Sequence, residues 1–222
     1  MSETDLERVG IARGAPQTSR DPQAITNWRI YDPLVLNPVL AAALELFVEK
    51  GYHGSTVRDI AHRCGMSVSG IYHYYSNKHE MLKEILESGV TELLCRAEMA
   101  RADGANSVER FSLMIESLVL YHTHRLKIGF VGASEMRSLD AQVRRAVAAE
   151  RRKQQRWIDI EVGSAVDQGH FRTLHPLEAS RAVVTMCTSI VQWYKPAGPL
   201  HPSLLASKYV GFALALMGFQ PQ

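Results

Sequence analysis

The chain has 222 residues, 46% of them hydrophobic and 22% charged, with a net charge of +2 and a mean hydropathy of −0.12. Those totals describe an ordinary soluble protein with enough length for one or two domains, and no apolar run approaches the roughly 18 uncharged residues a membrane helix needs. Cys64, Cys95 and Cys187 are too far apart for a zinc site, and the N-terminus lacks a basic-then-apolar signal pattern, so the reading is a cytoplasmic protein with reduced thiols.

Residues 1–33 hold few aliphatics and no sustained period, and read as a mobile arm carrying Arg8, Arg13, Arg20 and Arg29. A helical period begins at Pro38: Val39, Leu40, Ala43, Leu44 and Phe47 form one stripe, which Gly51 ends. Two short helices follow within 56–74. The first has Thr56 or Ser55 as its cap and Val57, Ile60 and Ala61 as its apolar face, and Gly65 stops it. Ser67 caps the second, where only Val68 and Ile71 are aliphatic, leaving Ser69, Gly70, Tyr72, His73 and Tyr74 to point outward. Two short helices around a tight turn are the arrangement that seats a helix in the DNA major groove. Residues 34–86 balance Lys50, Arg58, Arg63, Lys78 and Lys83 against Glu45, Glu49, Asp59, Glu80 and Glu84, so DNA affinity has to come from local arrangement.

Asn77 caps a longer helix with Met81, Leu82, Ile85, Leu86, Val90, Leu93 and Leu94 on one face, broken at Asp103-Gly104. Val108, Phe111, Ile115, Leu118 and Val119 define the next, up to about residue 125. Gly129 and Gly132 bracket a short irregular or single-turn piece around Phe130. A long helix spans about 137–168, another runs from Pro176 to Pro196, and the last follows Pro202. No alternating strand occurs. The fold class is all-α, with a helix-turn-helix head over residues 34–80 and a helical body over 81–222.

With the helices placed, the chain resembles the TetR family of bacterial transcriptional regulators. The resemblance covers residues 39–86 and rests on the Ala-Ala-x-x-Leu-Phe-x-x-x-Gly-Tyr stretch at 42–52, then Thr56, Ile60-Ala61, Gly65, Ser67, Gly70, Ile71-Tyr72, Tyr75 and Lys78. It implies a homodimer built through the last two long helices, a double-stranded DNA operator as partner, and a small-molecule pocket in the body whose filling releases the operator. Carried over by position, Thr56, Tyr72 and Lys78 are phosphate contacts. Arg58, Ser67, Ser69, His73 and Tyr74 are candidates for the groove, and Gly70 lets the helix approach closely. Trp193-Tyr194-Lys195-Pro196-Ala197-Gly198, with Arg152 to Trp157 before it, looks like members that sense acyl-CoA thioesters, with Lys195 standing where arginine is usual.

The interval 140–156 is rich in arginine and lysine. It reads either as a solvated helix face or as an anion-accepting mouth, with Arg152, Lys153 and Trp157 at its centre. Met114, Leu118, Tyr121, His122, Phe130, Met186 and Trp193 complete the candidate pocket, although each taken singly reads more readily as core. His122, His124, His170 and His175 do not form a metal set, and no cofactor is expected. Nucleophile-elbow, zinc-protease, phosphate-loop and dinucleotide motifs are missing, so the chain does not read as an enzyme. Two other functions remain open. An effector-independent architectural DNA-binding protein predicts a filled body. A helical interaction module predicts no role for Tyr72 and Lys78.

Overall fold

The computed structural model describes residues 25–220, which form helices and no strand. Arg8, Arg13 and Arg20 of the expected arm lie outside the described residues. α1 (Pro38–Gly54) begins under an Asn37 cap whose side chain accepts from the Leu40 N–H, and its last turn is broken at Gly51, where φ is 73°. α2 (Val57–Arg63) starts at Thr56 in a reciprocal capping box with Asp59. Gly65, at φ 70°, makes the turn that leads to α3 (Val68–Tyr72), capped by Ser67.

α4 (Lys78–Asp103) carries the chain from head to body under the Asn77 cap. α5 (Ser107–His124) and α6 (Leu126–Ser134) follow, and a 3-10 turn at Met136–Ser138 leads into α7 (Ala141–Asp167). α8 (Pro176–Thr188) ends in a 3-10 turn at Ser189–Gln192, before α9 (Pro202–Leu216). The piece around Phe130 is therefore a regular helix that runs through both Gly129 and Gly132, where a short irregular segment was expected. Packing overrides the weak propensity of those glycines, because α6 is wedged between the head and α4.

The buried side chains gather in two clusters. One is the body: α5 with the later parts of α4 and α7, together with α8 and α9. The other holds the head, yet it also takes in Met81, Leu82, Ile85 and Leu86 of α4, Ile128 and Val131 of α6, and Val143 and Val147 of α7. The head's core thus extends past residue 80. α4 and α6 meet at Gly89, whose place no larger residue fits: a Cβ there would lie 2.5 Å from Ile128 Cγ2.

Residues 25–33 correct the expectation of a free arm. Trp28 is buried, and its Nε1 donates to Asp103 at 2.7 Å. Arg29 pairs with Glu116 through two contacts of 2.6 and 3.0 Å. Arg96 donates to the carbonyls of Trp28 and Ile30 at 2.9 Å each, and Arg125 to that of Asp32 at 3.2 Å. The Tyr31 ring lies 3.6 Å from the Arg96 guanidinium carbon and stacks on His124 with centroids 4.4 Å apart. Glu92 pairs with both arginines at 2.8 Å. This segment is a strap, tied to α4 and α5, that runs straight into the Asn37 cap of α1.

Candidate DNA-reading surface and effector cavity

The outer side of α2 and α3 is a compact polar patch. Thr56, Arg58, Ser67, Ser69, Tyr72, His73 and Tyr74 are exposed, Tyr72 by 54%, while Ile71 and Tyr75 are buried beneath them. Several of the hydroxyls already have local work. Thr56 Oγ1 accepts from the Asp59 N–H and donates to the Asp59 carboxylate at 2.7 Å. Ser67 Oγ accepts from the Gly70 N–H and lies 3.0 Å from Ser69 Oγ. Gly70 is half-buried, and a Cβ there would crowd Ser67 Oγ at 3.2 Å, so this glycine serves the cap. Asn37 donates to the Tyr75 hydroxyl at 2.8 Å, fixing the end of α3 to the start of α1.

Lys78 differs from the sequence-based expectation. Its ammonium donates to the carbonyls of Tyr52 and Ser55 at 2.7 and 2.8 Å and lies 4.2 Å from the centre of the Tyr52 ring. Burial lowers its pKa. Since α1 ends at those carbonyls, Lys78 holds the corner between α1 and α2.

The body contains a cavity of about 320 Å³, bounded by α4 (Leu86, Gly89, Val90, Leu93), the α5–α6 region (Tyr121, His122, Ile128, Gly129, Ala133), α7 and α8. That volume falls in the usual range of about 300–1,000 Å³ for small-molecule sites. Arg151, Arg152, Gln154 and Gln155 face it from α7, and Val184 and Thr188 from α8. Of the expected effector residues, Tyr121, His122 and Arg152 line it. Met114 and Leu118 are fully buried in the body's core, and Trp157 and Met186 are half-buried against it. Phe130 packs on the head's cluster. Lys153 does lie beside Trp157, 5.1 Å from the ring centre, but neither residue lines the cavity. Trp193 is 45% exposed and stacks on Tyr209 with centroids 6.5 Å apart.

The cavity's polar groups differ in how they are satisfied. Tyr121 donates its hydroxyl to the Gly89 carbonyl at 2.8 Å. Gln155 is engaged by Asp159 and Ser180. Arg151 donates to the Gly132 carbonyl at 3.0 Å and forms no ion pair among the described residues; its surroundings lower its pKa, chiefly by burial. His122 Nδ1 lies 2.8 Å from the Leu118 carbonyl, so it carries the proton. Burial first, and the Arg151 charge as well, push the imidazole down to about 4. Gln154 is 5% exposed and its Nε2 has no hydrogen-bond partner. A second depression of about 510 Å³ lies between the strap, α1 and the α5–α6 junction. Its charges are already matched, Lys127 with Glu45 and Arg125 with Glu92, so it has no comparable unpaired polar group.

Residues 39–85 match the family described as bacterial regulatory proteins, tetR family, and residues 104–217 match the tetracyclin repressor-like C-terminal domain. The chain belongs to the TetR family. It is therefore a DNA-binding transcriptional regulator of helix-turn-helix type and not an enzyme. The TetR-type repressor KstR2 of Mycobacterium tuberculosis H37Rv is 29% identical over 180 residues, covering 79% of this chain and 89% of that protein. KstR2 of Rhodococcus jostii is 27% identical over 183 residues, with 79% and 87% covered. The solved M. tuberculosis structure, a ketosteroid transcriptional regulator, superposes with a TM-score of 0.76 at 25% identity over 83% of this chain and 94% of that one. AibR in complex with isovaleryl coenzyme A and operator DNA superposes with a TM-score of 0.72 at 26% identity, covering 82% and 97%. Among the described residues of this TetR member, no helix is long and apolar enough to cross a membrane.

Sequence reasoning placed Arg151 in the basic interval but not among the pocket residues, and it missed Gln154; a spacing of three puts both on one face of α7, and nothing in the local sequence marks that face as the cavity's.

Proposed function

We propose that this protein is a homodimeric repressor that holds a pseudo-palindromic operator through Arg58, Ser67, Ser69, Tyr72, His73 and Tyr74, and leaves it when an acyl-CoA-type effector fills the body cavity. The observation that carries this reading is the wall between cavity and head. Leu86 and Ile128 line the cavity and also belong to the head's apolar cluster. A ligand that presses on that wall moves α4 and α6, and with them the seat of the two short helices. Ligand action is then a population shift between two spacings of the paired heads.

The effector class is supported by the arginines on α7 and by the AibR complex, whose ligand is a coenzyme A thioester. The dimer is supported by the outer face of the last helices, where Leu177, Trp193, Leu204, Phe212 and Leu216 are each exposed by 45–56%. A face of that kind suits a two-fold helical interface, and Trp193 belongs to it better than to the cavity. The open cavity counts against an architectural DNA-binder with a filled body. The test is selection of operator sequences from random duplexes, then release from the selected site by a panel of acyl-CoA thioesters and the matching free acids. Release by thioester and not by acid supports the reading, and indifference to the whole panel overturns its effector part.

A further inference from the structure

Affinity for DNA comes in large part from cations set against phosphates, and the head has few cations to offer. Of its lysines and arginines, Lys50 pairs with Asp59 at 4.0 Å, Arg63 with Glu49 at 2.6 Å and Lys83 with Glu87 at 4.0 Å. Lys78 is tied to the Tyr52 and Ser55 carbonyls. That leaves Arg58, which is exposed and has neither an ion pair nor a hydrogen bond among the described residues. A head that is neutral as a whole, with most of its cations engaged, is short of positive charge for the duplex it reads.

Unengaged positive charge stands at the start of α7, directly against the head. Arg137, Arg144 and Arg145 are exposed and likewise have no ion pair or hydrogen bond among the described residues. The acid in that stretch, Asp140, uses its carboxylate on the Gln142 and Val143 N–H groups that open α7. On another side of the same turns, Val143 and Val147 are buried in the head's cluster, so the start of α7 packs as part of the head. Two polar contacts fix it there. Ser138 Oγ lies 3.3 Å from His53 Nε2, at the end of α1 and just before the Thr56 cap of α2. The Asp140 N–H donates to His79 Nε2 at 3.0 Å, in the first turn of α4. The connector between α6 and α7 therefore rests on the two head corners that flank α2 and α3, and its arginines continue their polar surface outward.

We propose that Arg137, Arg144 and Arg145 grip the phosphate backbone beside the base pairs that α3 reads, and supply in each protomer the neutralising charge that the head lacks. Contacts of this kind position the protein and raise affinity for any sequence, leaving discrimination to α3. The guanidinium fork suits phosphate oxygens, and the long side chain reaches from the helix surface to a neighbouring strand. Arg152 and Arg156 stand about 10 Å or more farther along α7, away from the head, and take no part. The proposal rests on the helix-turn-helix reading and is independent of the effector's identity.

The test is a titration of the full chain by fluorescence anisotropy over a series of salt concentrations. Two labelled duplexes are used, the operator selected from random sequences and an unrelated one. Each of Arg137→Gln, Arg144→Gln and Arg145→Gln should lower the slope of log affinity against log salt by about one per protomer bound, and the triple variant by two to three. The triple variant should weaken both duplexes by the same factor and leave the melting temperature unchanged. Arg144→Lys should keep the slope of the natural protein, because the slope counts charges. An unaltered slope in the triple variant overturns the proposal, as does a loss confined to the operator. An equal loss in Arg152→Gln also overturns it, since the effect would then belong to the general field of α7. Weaker octanoyl-CoA binding in the triple variant with an unaltered slope would assign these arginines to the cavity mouth instead. If the triple variant fails to fold, the single variants decide by the same criteria. Failure of the natural protein to bind either duplex would sink the helix-turn-helix reading itself, and the proposal with it.

Discussion

The polar groups on the DNA-facing surface and those inside the body are held in opposite ways. Around α2 and α3 the threonine and serine hydroxyls are satisfied within three residues of themselves, as with Thr56 and Asp59 or Ser67 and Gly70. In the body the partners are far apart in the chain: Arg96 reaches back 68 residues to Trp28, and Arg110 reaches forward 51 residues to Glu161. The difference teaches that the reading surface is a local product, cheap to alter, whereas the body's polar groups are bound to its tertiary structure. Lys78 and Tyr75 are exceptions, head residues tied to distant partners as if they were interior.

The largest expected effect that sharpens this contrast is at Glu92. Glu92→Gln leaves the buried guanidiniums of Arg96 and Arg125 without their carboxylate, and urea denaturation should show a loss of about 3–5 kcal/mol. Next comes acid. His122 is held at about 4 in the folded protein against an ordinary value near 6.5, so between those pH values the unfolded chain binds a proton that the folded chain refuses. Stability therefore falls as pH drops through that window, by up to about 3 kcal/mol, and is unaffected by this group above it. His122→Gln should remove that part of the pH dependence in denaturation curves recorded from neutral pH downward.

At Lys78 the contrast can be broken. Lys78→Met should cost about 1–3 kcal/mol because two carbonyls at the α1–α2 corner lose their donor. The salt dependence of operator binding should stay the same, whereas a slope smaller by about one ion would return Lys78 to the phosphate backbone. The smallest change in stability belongs to Tyr72→Ala on the exposed surface. Its unfolding free energy should stay within about 0.5 kcal/mol of the parent, while operator affinity falls about tenfold in a titration at fixed salt. A folding defect there would erase the distinction between surface and interior.

The same distinction explains what the sequence disclosed. The helix-turn-helix was legible because its signals are adjacent: the Thr56, Ser67 and Asn77 caps and the Gly65 stop are each recognisable within four residues, and the structure has all of them. The all-α body was legible from its period. The strap was not, because Trp28 and Tyr31 sit in a polar stretch whose partners, Asp103 and His124, lie over seventy residues away. The cavity was only partly legible for the same reason. Its lining is drawn from four separate stretches, and nothing local distinguishes Gln154, which faces it, from Met114, which is packed in the core.

The wall that Leu86 and Ile128 share with the head also divides the cavity into two evolutionary territories. Residues on α7 and α8, such as Arg151, Gln154, Val184 and Thr188, can be exchanged to suit a new ligand without entering the head's core. Leu86 on α4 and Ile128 on α6 cannot, since both belong to the head's core. New effector specificities in this scaffold should therefore arise from one side of the cavity, while the other side supplies variants locked in one regulatory state.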